Sequence, residues 1–501
     1  MMKTTNLNPT LVFHYFEEVC RIPRPSKKEE KIIDYLLRFA KEHQLEAVTD
    51  ATGNVLIRKP ATPGYEDRKT VVLQSHLDMV CEKNEGVTHD FLKDPIETYI
   101  DGEWMRARGT TLGADNGIGI ATELAILADD SIAHGSLECV FTEDEETGMT
   151  GAFGMTGDFM HGDILLNLDS EDEGEMFIGC AGGANTVATF RFEPEVVPAG
   201  HFFFRASVKG LTGGHSGDDI NKNRANANKV LNRFLVQCMR KYDFRLCQID
   251  GGNLHNAIPR EAWAVCAVPM ADKENVRIDF NVFAAEVEAE YSVTEPTMRF
   301  ELSSTDAQAT AIDRSTTRRM LLAVHACFNG VFAMSQDIDG LVETSNNLAS
   351  IKQQADTMDP LQEPQDKLSS PTIRILCSQR SSSASSRADV SQTVMSAFQL
   401  AGAEVELGDG YPGWKPNPSS PILAVVVDCY KRLFGKEPKV KAIHAGLECG
   451  LFLEKYPHMD MVSFGPTLRG VHSPDERMLI PTVQMFWDHL LEVLKHVPRK
   501  Q

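Results

Sequence analysis

Apolar residues recur at helical spacing early in the chain. Ile32, Ile33, Leu36, Leu37 and Ala40 fall on one face, which predicts a helix with that face buried. Ser26-Lys27-Lys28-Glu29 ahead of it has capping-box spacing, and Pro23 and Pro25 keep the preceding segment extended. Short apolar runs follow. Residues 54–57 and 70–73 read as strands, 117–128 as a buried helix, and 137–141 and 164–168 as interior strands. Strands alternating with helices predict an α/β layer fold with a largely parallel sheet.

The texture changes near residue 184. Residues 201–208 alternate apolar and polar, and helical stretches near 221–240 and 313–329 are mixed with strand patterns up to about 407, as in a separate α+β unit. A loop at 408–420 carries Pro412, Pro416 and Pro418, and leads to a helix at 421–434 with Ser420 as its cap and Pro421 at its first position. Strands near 439–443 and 460–464 and a closing helix at 481–496 complete the pattern. Two organisations fit it. One is a row of two or three tandem domains; the other is one discontinuous domain interrupted by an insertion.

Composition narrows the function classes. The 501 residues are 42% hydrophobic, enough for more than one core. Fifty basic against seventy-one acidic residues give a net charge of −21, which argues against a nucleic-acid or anionic-membrane partner. No apolar run reaches the length of a membrane span, and the first ten residues lack the apolar stretch of a signal peptide, so the expectation is a cytoplasmic protein. Eleven cysteines stand singly without a Cys-x-x-Cys pair, as reduced core thiols would.

The chemistry gathers at strand ends. Gln74-Ser75-His76-Leu77-Asp78 puts His76 and Asp78 on one side of the chain where an apolar strand ends, as suits a metal ligand and the carboxylate that orients it. Gly113-Ala114-Asp115-Asn116-Gly117 precedes a buried helix, so Asp115 is either a helix cap or a carboxylate among small residues that lets a ligand come close. Thr142-Glu143-Asp144-Glu145-Glu146-Thr147-Gly148 sets four consecutive carboxylates at the end of a buried strand, where their mutual repulsion calls for a cation or a proton. Asp169 follows another apolar strand, and His472 lies in a tight late loop, Gly470-Val471-His472-Ser473-Pro474-Asp475-Glu476. Such a set is what a two-metal hydrolytic site needs. Two zinc ions, three carboxylate ligands and a bridging hydroxide sum to about zero charge, and a further carboxylate can take a proton from the water.

In order along the chain, these motifs resemble the dinuclear-zinc peptidase family that includes carboxypeptidase G, carnosinase and aminoacylase. The likeness is greatest to its aminoacyl-histidine (Xaa-His) dipeptidase branch. It spans essentially the whole chain, with Arg24-Pro25-Ser26, Gly183-Ala184-Asn185 and His444-Ala445-Gly446-Leu447-Glu448-Cys449-Gly450 adding to it. The resemblance implies two Zn2+ per subunit, with Co2+ or Mn2+ as possible substitutes. Asp115 would bridge them, His76 and Asp169 complete one, and Glu146 and His472 the other. Asp78 would orient His76, and Glu145 would be general base and then general acid toward a water activated by the metals. The peptide after Asp115 is commonly cis in this family.

The same resemblance covers the insert. His215, in Gly213-Gly214-His215-Ser216-Gly217, matches a lid histidine that stabilises the oxyanion in a dimeric partner's site. Asn256, in Gly251-Gly252-Asn253-Leu254-His255-Asn256, matches a substrate contact. Arg380 matches the arginine that holds the substrate carboxylate, with Arg387 as the alternative. His444 and Glu448 receive no role.

The implied architecture is a catalytic domain of residues 1–183 and 409–501 around a lid or dimerisation domain of 184–408, in a homodimer. The implied activity is hydrolysis of unblocked dipeptides, Xaa-His and β-alanyl-histidine among them. An N-acyl amino acid deacylase or carboxypeptidase on the same scaffold is the alternative enzyme, and a non-catalytic metal-dependent peptide-binding protein the alternative of another class.

Overall fold

Strands that are apolar on both faces cannot lie at a surface, and here they form the middle of a sheet. The computed structural model describes residues 7–354, 371–408 and 410–500. Every residue of the strands Val71–His76, Leu137–Thr142 and Ile164–Asn167 is buried. Val71–His76 runs parallel to both of the others, and Asp460–Ser463 runs parallel to Ile164–Asn167. These four are the centre of an eight-stranded sheet. Val55–Lys59 and then Glu46–Thr49 extend it antiparallel on one side, and Glu175–Cys180 and then Lys439–Ile443 lie on the other. Parallel pairing thus joins the four central strands. Their carboxyl ends share one edge, the usual place for chemistry in a sheet of this kind.

The helix Ala114–Ala128 packs on strand Val71–His76 and on the helix Thr10–Cys20. Its first turn is irregular, because Asp115 and Asn116 depart from helical φ/ψ. The helix Glu30–Glu42 starts without a side-chain cap, so the expected capping box does not form. Ser26 Oγ instead donates to Asp78 Oδ2 at 2.8 Å, and Glu29 Oε1 accepts from the backbone N–H groups of Lys27 and Asp144 at 3.0 and 3.1 Å. These polar groups are spent on the loops at the sheet edge rather than on the helix end.

A second sheet has nine strands, all its pairings antiparallel. Its order is Arg299–Ser304, His201–Lys209, Ala262–Pro269, Arg245–Gly251, Val342–Gln354, Thr372–Ser381, Gly182–Arg191 and Glu404–Leu407, with Gly330–Met334 also pairing to Val342–Gln354. His201–Lys209 buries alternate residues, as expected of a sheet covered on one face. The helices Ala227–Lys241, Lys273–Glu290, Arg314–Ala326 and Ala384–Leu400 supply Phe234, Phe280, Met320 and Phe398 to a core shared with Phe190 and Phe204 of the sheet. The helix expected from 221 starts only at Ala227, because Asn226 caps it by accepting from Lys229 N.

The chain divides into two compact units: Met1–Cys180 with Trp414–Ala442 and Leu447–Gln501, and Ala181–Gly413 with Ile443–Gly446. The junctions fall at 180/181 and 413/414, rather than at 183/184 and 408/409. The short return of Ile443–Gly446 to the second unit, absent from the sequence expectation, follows from Ala181 N–H donating to the carbonyls of Ile443 and Ala445 at 3.1 and 2.9 Å. All eleven cysteines are free, and ten are buried. Among the described residues, no helix is long and apolar enough to cross a membrane.

Candidate active site

Seven of the ten expected site residues meet at the carboxyl edge of the parallel strands in the first unit. His76 ends one strand, Glu145 and Glu146 open the turn after Leu137–Thr142, and Asp169 follows Ile164–Asn167. Asp115 stands at the irregular start of Ala114–Ala128, and the peptide after it is cis. Asp115 Oδ1 lies 3.0 Å from His76 Nε2, while its Oδ2 lies 3.2 Å from His472 Nε2. Asp169 Oδ1 is 3.4 Å from the same His76 nitrogen, and Glu146 Oε2 is 3.0 Å from His472 Nε2. Two groups of potential ligand atoms, His76/Asp115/Asp169 and Asp115/Glu146/His472, therefore share one carboxylate, each group's atoms lying within 4.8 Å of one another. Of the two readings of Asp115, the cap is not realised: the helix has no side-chain cap.

Asp78 sits behind this group. Its Oδ1 lies 3.3 Å from His76 Nδ1 and accepts from Glu145 N at 3.0 Å, and its Oδ2 accepts from Glu146 N at 3.2 Å. One buried carboxylate thus orients the imidazole and holds the backbone that carries both glutamates. His472 (φ 61°) and Asp144 (φ 51°) are in the left-handed region, a conformation that non-glycine residues adopt at a cost and that clusters at functional sites.

The electrostatics show crowding of like charge. Burial pulls the His76 imidazole down, but Asp169, Asp115 and Asp78 around it outweigh burial and hold it well above the usual histidine range. Hydrogen bonds to Asp115 and Glu146 push His472 up to about 11. Burial, aided by Asp169, Glu448 and Glu146 and opposed by His76, holds the Glu145 carboxyl well above its ordinary value. Burial raises Asp169 to about 6 against the pull of His76. Carboxylates crowded around the two imidazoles thus raise both histidines, while burial raises Glu145 and Asp169.

The donor set fits divalent metal. Imidazole nitrogens and carboxylate oxygens are the ligands of hydrolytic zinc sites. Glu146 Oε1 is buried without a hydrogen-bond partner, so the side chain has an unused ligand atom in place. His472 is 52% exposed, which leaves one side of the group open to a substrate.

The remaining three expected residues, His215, Asn256 and Arg380, belong to the second unit. Arg380 is nearly buried in the strand Thr372–Ser381. Its guanidinium donates to Tyr411 Oη at 3.1 Å and lies 3.4 Å from both His215 Nε2 and Ser216 Oγ. His215 forms an isolated bridge with Ala257, and Ser216 N donates to Asn256 O at 2.8 Å, so the segments 213–217 and 251–256 lie side by side. Asn256 is half-buried. Arg387 is engaged by the backbone carbonyl of Tyr411. His444, given no role from sequence, accompanies this cluster with its Nε2 2.7 Å from Ser345 Oγ, and burial beside Arg380 lowers it to about 3.

Sequence reasoning missed a layer beneath the first-unit group. Glu448 Oε2 accepts from Gln74 Nε2 at 2.7 Å and Thr142 Oγ1 at 2.8 Å, and burial raises this carboxyl to about 8. Arg24, Glu29 and Glu476 make mainly backbone contacts. The signal available for them was their presence in the quoted motifs, not their spacing.

Comparison with known proteins bears on this site. The sequence pattern described as peptidase family M20/M25/M40 matches residues 72–496. The chain is 44% identical over 501 residues to the cytosol non-specific dipeptidase of Escherichia coli (strain K12), covering the whole of both. The solved structure of aminoacylhistidine dipeptidase from Vibrio alginolyticus matches with a TM-score of 0.90 at 45% identity, over 100% of this chain and 99% of that one. Aminopeptidase PepT from Bacillus cereus, at 15% identity and a TM-score of 0.58 over 98% of this chain and 99% of its own, shares the fold.

Proposed function

Because this chain belongs to peptidase family M20/M25/M40, we propose that it is a metal-dependent dipeptidase of unblocked dipeptides, Xaa-His and β-alanyl-histidine among them. The observation that carries the proposal is the sharing of Asp115 by two ligand groups. Two divalent ions, zinc by the nature of the donors, would be held with Asp115 between them, His76 and Asp169 completing one and Glu146 and His472 the other. Ions so held would acidify a water and polarise the peptide carbonyl.

The chain's own residues do the rest. Asp78 keeps His76 turned toward Asp115 and fixes the turn that carries Glu145. Glu145, not needed as a ligand, takes the proton from the attacking water and delivers it to the departing amine. In the second unit, which we read as the lid and dimerisation unit of a homodimer, Arg380 is suited to grip the substrate carboxylate, His215 to stabilise the oxyanion and Asn256 to contact the substrate. The setting is the cytoplasm, as the name of the E. coli relative says of that protein.

The test is a comparison of turnover on Ala-His and on N-acetyl-His, each with and without a chelator. Faster, chelator-sensitive cleavage of Ala-His is expected. Faster cleavage of the acetylated compound would overturn the dipeptidase reading, and cleavage indifferent to the chelator would overturn the metal.

A further inference from the structure

The geometry points to Glu476 as a positioning residue that clamps Asp115 between the two ligand groups and thereby sets the affinity for the second ion; this rests on the two-ion reading above. Glu476 is 2% exposed, and both of its oxygens are committed to backbone. Oε2 accepts from Leu112 N at 2.7 Å and Gly113 N at 2.9 Å, and Oε1 accepts from Ala114 N at 2.8 Å and Asp115 N at 3.3 Å. Four consecutive amides thus converge on one carboxylate. A buried carboxylate with several amide donors is strongly held, because charge-assisted hydrogen bonds are about twice as strong as neutral ones.

The other side of the same loop is held by Arg24, also 2% exposed. Its guanidinium donates to Leu77 O at 3.0 Å, to Asp78 O and to Gly113 O. It fits there only because glycines make room: a Cβ on Gly113 would come within 2.8 Å of Arg24 Nη2, and one on Gly117 within 2.7 Å. Arg24 therefore joins the loop of His76 and Asp78 to the loop of Asp115 through carbonyls, while Glu476 holds the Asp115 loop through amides.

The placement of Glu476 along the chain gives the clamp its consequence. It lies four residues after His472, in a loop tightened by Glu476 N donating to Ser473 O at 3.0 Å and Ser473 Oγ to Gly470 O at 2.7 Å. That loop closes a hairpin of Leu468–Arg469 with Arg477–Leu479, and the latter strand also pairs with Trp104–Ala107. One short segment therefore presents His472 to Asp115 Oδ2 and fixes the backbone from which Asp115 projects. The separation of the two ligand groups is set by this staple rather than by the ligands alone.

The experiment is calorimetric titration of chelator-stripped protein with Zn2+, on wild type, Glu476→Gln and Glu476→Asp, alongside melting of the stripped proteins and kcat and KM on Ala-His. Glutamine turns an N–H2 toward amides that need an acceptor, so the clamp opens with little change in volume. Wild type is expected to show two sites. In Glu476→Gln the weaker site should lose about 10–100-fold in affinity, the range found when groups that orient metal ligands are removed. The stronger site should change less, KM should hold, and kcat should return as Zn2+ is raised. Unchanged constants at both sites would overturn the clamp, as would equal weakening of both in step with a lower melting temperature. Should Glu476→Gln not fold, Glu476→Asp keeps the charge but withdraws it by one carbon, so the same selective weakening is expected and wild-type constants would overturn the clamp. A wild type without two zinc sites would instead count against the two-ion reading.

Discussion

Asp78 spends both its oxygens within one small region: Oδ1 on His76 and Glu145 N, Oδ2 on Ser26 and Glu146 N. Asp78→Asn must turn one acceptor into a donor, leave an N–H without its partner and loosen the imidazole. Metal affinity or turnover should fall about 10–100-fold, measured by zinc titration and dipeptide kinetics. Glu145→Gln should behave differently, keeping its bound metal by elemental analysis while turnover drops by roughly 10²–10⁴-fold, the contribution of a positioned acid–base group. Asp115, at an irregular helix start, and His472, in a hairpin loop, received their proposed roles from the family resemblance. His76, Glu146 and Asp169, the other proposed ligands, were legible in the sequence because parallel strands stack their ends on one edge, so a polar residue closing an apolar run has little choice of destination. Arg24, Ser26 and Glu476 were not. Their partners are mostly backbone groups or a neighbouring loop, and no spacing rule says which amide a buried carboxylate will find.

At the scale of elements, the closing helix and its neighbour carry two checkable consequences. Ser420 caps Pro421–Phe434 by accepting from Leu423 N at 3.0 Å and donates to Asp460 Oδ1 at 2.6 Å, as Pro421 at the first position foretold. Ser420→Ala should cost about 1 kcal/mol in chemical denaturation. His489, on the helix Ile480–His496, is 2% exposed, with its Nε2 2.8 Å from Val426 O. Burial lowers it to about 4 from its ordinary 6.5. As pH falls, the unfolded chain takes this proton first, so stability is intact above pH 6.5 and is lost progressively down to about 4, by roughly 3 kcal/mol. Denaturation of His489→Phe at a series of pH values should show a shallower acid decline than wild type; parallel curves would refute the assignment. The capping box ahead of Glu30–Glu42 shows where element reading failed, since Ser26 and Glu29 were claimed by the loops of Asp78 and Asp144. Strand direction was also only half visible: buried central strands announce themselves by continuous apolar runs, but nothing in Val55–Lys59 tells that it runs antiparallel to its neighbour.

At the scale of the molecule, a mixed α/β unit and an antiparallel α+β unit are threaded by one chain that returns to the first after the second. The texture change near 184 was visible because one-face burial alternates while two-face burial does not. The four residues Ile443–Gly446 were invisible because backbone hydrogen bonds from Ala181 and the contact of His444 with Ser345, neither of which follows from spacing, tie them to the second unit. The proposed ligands on the first unit come from both ends of the chain, His76 to Asp169 and then His472, so a divalent ion held by them would tie the terminal segment to the start. Metal removal should therefore lower the melting temperature as well as activity, with both recovered on reloading. Most direct is stoichiometric reloading of the stripped protein with Zn2+, following Ala-His turnover against metal bound per chain. Turnover that climbs with loading and levels off at two ions per chain is the predicted result. Full turnover in the stripped protein, or a plateau reached with the second site still empty, would contradict a paired-ion centre built on Asp115.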